Sequence, residues 1–71
     1  MAAPPRKHHL GAEQRRALQL LASSPFGVTE IIMLAHGFTR RMRAGLIRAG
    51  LATARGKTVR ITAEGRRALK G

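Results

Sequence analysis

The sequence contains no Cys and no Asp, and its only acidic residues are Glu13, Glu30 and Glu64. Without Cys, the chain can form no disulfide, no zinc–thiolate site and no thiol nucleophile. The three glutamates are widely spaced and no Gly-rich phosphate-binding loop is present, so the usual constellations of an active site are lacking. We therefore expect a protein that is not an enzyme and that needs no cofactor.

Long apolar segments are lacking as well. The longest wholly apolar run covers residues 31–35, which is far too short to cross a bilayer. The first nine residues, MAAPPRKHH, have no apolar stretch of the kind found in signal peptides. These features predict a cytoplasmic protein with no membrane partner.

The three histidines do not form a recognisable metal site. His8 and His9 are adjacent, and they lack the helical spacing and the further ligands that such a site needs. His36 precedes Gly37 and is expected to be a polar turn residue. We expect no bound metal.

Positive charge is what the sequence has in excess. Fourteen Lys and Arg residues stand against three Glu, which gives a formal net charge of +11. At least eleven cations therefore lack an acidic partner within the chain, and their repulsion destabilises the compact state. A polyanion relieves this repulsion. By charge alone the candidates are nucleic acid and an anionic membrane surface, followed by an acidic protein; of these we expect nucleic acid and no membrane.

The length of 71 residues corresponds to one small domain. Residues 1–9 combine two Pro, two basic residues and two His without apolar periodicity. This composition predicts a flexible basic N-terminal arm, either in contact with DNA or as a plain disordered terminus. Residues 10–71 are predicted to form the folded domain.

An apolar stripe at helical spacing predicts the first helix over residues 10–23. The stripe consists of Leu10, Ala17, Leu18 and Leu21, with Gln14 at its margin. Pro25 ends the helix, because the residue before a Pro disfavours helical dihedrals. Phe26 is then expected to fill the core as the chain turns.

The second helix is expected to begin after Thr29, a good N-cap residue, and to end before Gly37, a favourable C′ residue. Glu30 then lies in the first turn, where the helix dipole favours an acid. Because residues 31–35 are apolar nearly all round, we expect this helix to be well covered by the rest of the domain.

The third helix is predicted over residues 40–49, with Thr39 as its N-cap and Gly50 at its end. Its inner face should carry Met42, Leu46 and Ala49, which follow at spacings of four and three. No acid along this helix is spaced to pair with its arginines. The pattern therefore indicates a helix with an apolar inner side and a cationic outer side.

After Gly50 the apolar pattern changes to a period of two, which predicts two short strands near residues 51–53 and 59–61. For Leu51 and Val59 to lie on one face, the loop between them must have an odd number of residues. A three-residue loop, 54–56, places Gly56 at the left-handed position that such loops require. Thr62 should cap a last short helix, with Leu69 as its inward anchor.

Three segments carry a resemblance to a known family. Residues 35–39, AHGFT, form a short Gly-containing turn between two helices. LIRAGL at 46–51 matches an L-x-x-x-G-L pattern, and VRITAEGRRAL at 59–69 contains T-x-x-G-x-x-x-L. Over about residues 10–70 the chain resembles bacterial winged helix-turn-helix DNA-binding domains of the MarR type, in a minimal single-domain form. The resemblance implies a mostly helical α+β fold: a three-helix bundle with a helix-turn-helix, a two-stranded wing and a short C-terminal helix.

The resemblance also implies binding of double-stranded DNA, by a small transcriptional regulator or a chromosome-associated protein of the nucleoid. In such domains the third helix enters the major groove, and the wing contacts the backbone or the minor groove. The matching residues are Thr39, Arg40, Arg41, Arg43, Ala44, Ile47 and Arg48 on the helix, and Arg55, Gly56, Lys57 and Arg60 on the wing. Arginine suits this role independently, because its planar fork bonds guanine O6 and N7 or clamps a phosphate.

MarR-type proteins have additional helices at both ends, which build a dimer and a ligand pocket, and this chain has no room for them. We therefore expect no small-molecule effector, and a monomer or a weak homodimer. Two other functions stay open. A winged-helix protein–protein interaction module would expose apolar side chains such as Ile32 and Ile47. An RNA-binding adaptor would need a stacking platform, but Phe26 and Phe38 are both expected in the core.

Overall fold

The computed structural model describes residues 10–70, which form a mostly helical α+β domain with a three-stranded antiparallel sheet. The predicted arm, residues 1–9, lies outside the described residues, as does Gly71. The elements in chain order are α1 (Ala12–Ala22), β1 (Val28–Thr29), α2 (Glu30–Ala35), α3 (Arg40–Arg48), β2 (Ala52–Arg55), β3 (Thr58–Ile61) and α4 (Ala63–Lys70). None of the helices in this part of the chain has the length and apolar character needed to cross a membrane.

The sheet has the strand order β1-β3-β2, so the hairpin strand β3 is flanked on both sides. β1 pairs with it through Val28 opposite Val59 and Thr29 opposite Thr58. The sequence predicted only the two strands of the hairpin and missed β1, the third strand of the sheet. β1 is two residues long and is defined by its pairing with a distant strand, so it leaves no periodicity of its own.

The hairpin turn is also shorter than predicted. Arg55 pairs with Thr58, which leaves a two-residue turn of Gly56 and Lys57 instead of the three-residue loop 54–56. Gly56 has φ +61°, and no non-glycine residue in the described part has a positive φ, as suits a type II′ turn with Gly at its first position. The register therefore places Ala54 opposite Val59, and Leu51 is buried just before the strand rather than within it.

α1 begins two residues later than predicted, so Leu10 lies before it and is only partly buried, whereas the rest of the apolar stripe is buried as expected. Ala17, Leu18 and Leu21 are fully buried. The Gly11 N–H donates to the Gln14 side chain at 3.0 Å, and this bond satisfies a free amide at the start of the helix.

The expected burial of Phe26 is wrong, because 89% of this residue is exposed. The Gly27 N–H donates to the Ser24 carbonyl at 2.8 Å, so Pro25 and Phe26 occupy the tip of a turn. Phe38 is buried in the core, as expected.

α2 begins and ends where predicted, but most of its apolar side chains are exposed instead of buried. The Thr29 hydroxyl accepts a hydrogen bond from the Ile32 N–H at 3.2 Å. At the other end Gly37 adopts φ +88°, and the Phe38 N–H donates to the Met33 carbonyl, which closes a Schellman motif. Met33 is the one buried residue of this six-residue helix, and Ile31, Ile32 and Leu34 are exposed. A helix this short packs along one side only, so the prediction of full cover is wrong.

α3 is capped as predicted but is rotated relative to the predicted inner face. The Thr39 hydroxyl accepts from the Met42 N–H at 3.1 Å, Leu46 is buried, and Met42 packs at the edge of the core. Ala49 is exposed at the C-cap, so its inward assignment is wrong. Ile47, assigned to the outer side, is half-buried against the core instead.

α4 is held against the start of the hairpin. The Thr62 hydroxyl accepts from the Gly65 N–H at 3.0 Å, as predicted for a cap, and donates to the Gly50 carbonyl at 2.6 Å. Leu69 packs against the core from its edge, while Gly65 and Ala68 are the buried residues of this helix. The core thus lies between the four helices and the inner face of the sheet, and Met33 is the contribution of α2.

Candidate nucleic-acid interface

The arginines of α3 differ in their surroundings. Arg41 and Arg48 are exposed, whereas Arg43 is half-buried. The Arg43 Nε is shielded from solvent and has no hydrogen-bond partner among residues 10–70. A guanidinium in this position keeps its remaining N–H groups as donors for an anionic ligand.

Arg40 is the exception on α3, because it has an acidic partner. Its Nε lies 3.2 Å from the Glu30 Oε2, and the two side chains are 76% and 29% exposed. The sequence argument considered acids along α3 alone and therefore missed this partner, which comes from the start of α2. Arg40 does not belong among the unpaired cations.

The remaining cations of the predicted interface have no ion-pair partner in the described part of the chain. Arg41, Arg43 and Arg48 on α3 and Arg55 and Lys57 at the hairpin tip belong to this group. Arg67 of α4, by contrast, pairs with Glu64 of the same helix.

Arg60 lies on β3 opposite Thr53 and is exposed. Its Nη2 donates a long hydrogen bond, 3.4 Å, to the Pro25 carbonyl. This bond is weak by geometry and leaves the rest of the guanidinium accessible. Gly56, also predicted to contact a ligand, serves the turn through its positive φ.

Glu30 connects the start of α3 with the hairpin turn. Its backbone N–H donates to the Lys57 carbonyl at 3.0 Å, while its carboxylate pairs with Arg40. Thr29, Glu30, Ile31 and Lys57 line a depression of about 220 Å³ at this junction. The cationic tip of the hairpin and the N-terminal end of α3 are therefore tied to one residue of α2.

Three uncharged candidates have different outcomes. Thr39 is exposed but its hydroxyl is used as an N-cap, so its backbone remains the available donor. Ala44 is exposed on α3, so its methyl group is accessible. Ile47 packs against the core and offers only part of its side chain.

A groove that the sequence did not reveal lies beside α3. It has a volume of about 600 Å³ and is lined by Gly11, Ala12, Glu13, Gln14, Thr39, Arg41, Met42 and Gly45. The beginning of α1 is thus placed next to Arg41. The lining residues of α1 and those of α3 are about 30 positions apart along the chain. No local sequence pattern therefore predicts that they meet.

Two basic residues of α1 have structural contacts. Arg15 Nη1 donates to the Leu69 carbonyl at the end of α4, at 3.1 Å. The Arg16 guanidinium lies 5.6 Å from the centre of the Phe38 ring, on which His36 also stacks at 6.3 Å. His36 therefore has a packing role in the turn between α2 and α3.

Among the described residues no group of three His, Cys, Asp or Glu could hold a metal.

Comparisons with protein-family models, with curated proteins and with solved structures found no significant match to this chain.

Proposed function

We propose that the protein binds double-stranded DNA as a minimal winged-helix domain, with α3 in the major groove and the β2–β3 hairpin as the wing. The element order α1-β1-α2-α3-β2-β3-α4 supports this proposal. So does the junction of α2 and α3, a Gly-containing turn that ends in the N-cap Thr39. The role we propose is that of a small transcriptional regulator or a chromosome-associated protein, nucleoid-associated in the cytoplasm and without catalytic activity.

One observation carries the proposal: five cations without an ion-pair partner are divided between α3 and the hairpin tip, and the Glu30 N–H bonds this tip to α2, the helix that a short turn joins to α3. They are Arg41, Arg43, Arg48, Arg55 and Lys57. Phosphates along a DNA duplex would neutralise them and release condensed counterions, which is the main source of affinity in sequence-independent DNA binding. A monomer or weak homodimer suffices for this mechanism.

The mechanism separates attachment from sequence reading. Arg55 and Lys57 on the wing and Arg48 at the end of α3 attach the domain to phosphates. The exposed Arg41 and Ala44 and the half-buried Arg43 are the candidates for base edges, where Arg bonds guanine and a methyl group contacts thymine. The free backbone amides at Thr39 suit a phosphate oxygen.

A gel-shift experiment with a short labelled duplex tests the proposal, with unlabelled duplex, single-stranded DNA and RNA as competitors. Unlabelled duplex should compete best, and non-specific affinity should be about 10⁻⁴ to 10⁻⁶ M near physiological salt. Preferential competition by RNA would transfer the function to the RNA-binding alternative.

A pair of charge-matched variants locates the surface. Arg41→Ala with Arg48→Ala and Arg66→Ala with Lys70→Ala each remove two exposed cations, from α3 and from α4 respectively. The first variant should reduce the steepness of the slope of log K against log salt by about 2, whereas the second should leave this slope unchanged. Equal losses in both variants would mean that net charge, and not this surface, governs binding.

A protein–protein interaction module remains the second candidate, because α2 exposes apolar side chains. Ile31 is 75% exposed, and Ile32 and Leu34 are also accessible. Ile47, the other side chain expected to mark such a surface, packs against the core instead. Failure of the duplex experiment would move this candidate to first place.

A further inference from the structure

We infer that Glu30 limits the DNA affinity of this domain by neutralising Arg40 at the edge of the interface; this inference rests on the proposed function. Glu30 is one of only three acids in a chain with fourteen Lys and Arg. Among residues 10–70 it is the one acid in an ion pair with α3. An acid is unfavourable beside a phosphate backbone, so its place at this junction opposes tight binding.

The geometry makes the effect specific to one pair. The Arg40 Nε and the Glu30 Oε2 are 3.2 Å apart. A DNA phosphate near Arg40 therefore meets a neutral ion pair instead of a single positive charge. The pair is mostly exposed on the Arg40 side and adds little to the stability of the fold. Its net contribution to counterion release should be close to zero, whereas an unpaired Arg40 would contribute about one phosphate contact.

The structural role of Glu30 belongs to its backbone. The N–H that donates to the Lys57 carbonyl is present whatever the side chain, and Thr29 provides the cap of α2. Glu30→Gln keeps the shape of the side chain and removes its charge. The wing should therefore stay tied to α2 in this variant, while Arg40 loses its counter-charge.

Salt titrations of duplex binding test the inference with four proteins: the natural chain, Glu30→Gln, Glu30→Gln with Arg40→Gln, and Glu64→Gln. Glu30→Gln should steepen the slope of log K against log salt by about 0.9. Its affinity advantage over the natural chain should therefore shrink about 3.5-fold between about 50 and 200 mM salt. The double variant, with the same net charge as the natural chain, should return to the natural slope.

Glu64→Gln is the matched control, because it makes the same charge change next to Arg67 on α4, outside the proposed interface. It should leave the slope unchanged. A Glu30→Gln slope equal to that of the natural chain would overturn the inference, and so would an equal steepening in Glu64→Gln. Unfolding is checked by the thermal midpoint of each variant. If the natural chain itself binds duplex DNA without a steep slope, the proposed function fails, whatever the variants do.

Discussion

Gly65 of α4 packs directly against the carbonyl group of Leu51, with no room for a side chain between them. A Cβ at position 65 would overlap the Leu51 oxygen and would lie 2.7 Å from the Ile61 Cγ1. This close approach gives a physical reason for the glycine in the T-x-x-G-x-x-x-L segment at residues 62–69. Thr62 holds the same junction together through its bond to Gly50.

We expect Gly65→Ala to destabilise the domain by about 1–3 kcal/mol, because α4 must move away from the backbone at Leu51. Gly45→Ala is the control: it lies within α3 and a Cβ there meets nothing within 4 Å. That substitution should stabilise by about 0.5–1 kcal/mol through helix propensity. Urea unfolding of both variants provides the measurement. Equal stability of the two would mean that α4 does not approach Leu51 this closely.

Folding should depend on Leu46, which is fully buried between α3 and the rest of the core. Leu46→Ala should cost about 2–4 kcal/mol, a large part of the stability of so small a domain. Leu34→Ala, at an exposed position of α2, removes the same atoms and should change stability by less than about 1 kcal/mol. An unchanged melting temperature for Leu46→Ala would show that α3 presents another face to the core.

The two phenylalanines should differ sharply. Phe38→Ala should cost about 3–5 kcal/mol, because Phe38 is buried and contacts both Arg16 and His36. Phe26→Ala should stay within about 0.5 kcal/mol of the natural chain, because Phe26 is at an exposed turn. Thermal denaturation followed by circular dichroism compares them. A large loss for Phe26→Ala would restore the prediction that it lies in the core.

Lys57 should contribute to binding through its charge and to the fold through its backbone. Lys57→Ala keeps the carbonyl that accepts from Glu30, so the melting temperature should change little. Binding to all duplex sequences should weaken alike, and the salt slope should shrink by about 1. A loss confined to one sequence would indicate that Lys57 reads bases.

Local chemistry made much of this fold predictable. Thr29, Thr39 and Thr62 each cap a helix, as the N-cap preference for hydroxyl side chains predicts, and Gly37 and Gly50 close the helices through positive φ. These features depend on residues three or four positions apart, which a sequence displays directly.

The errors arose where distant residues compete. Both Phe residues were expected in the core, and only the packed fold shows that Phe38 is buried there while Phe26 stays at an exposed turn. The predicted hairpin register was wrong because the turn has two residues, Gly56 and Lys57, instead of the predicted three. The Glu30–Arg40 pair joins two helices, so no helical spacing reveals it. The basic residues of the candidate interface were evident from the sequence, but the neutralisation of Arg40 by Glu30 was not.

The central claim is tested most directly by the salt dependence of duplex binding in the natural chain and in a variant with Arg40, Arg41, Arg43 and Arg48 all changed to Ala. With about five to seven cations on phosphates, log K for the natural chain should fall against log salt with a slope of about −4.5 to −6. The variant should bind more weakly and with a clearly shallower slope. A folded variant that binds duplex DNA with the natural slope would contradict the assignment of α3 to the DNA interface.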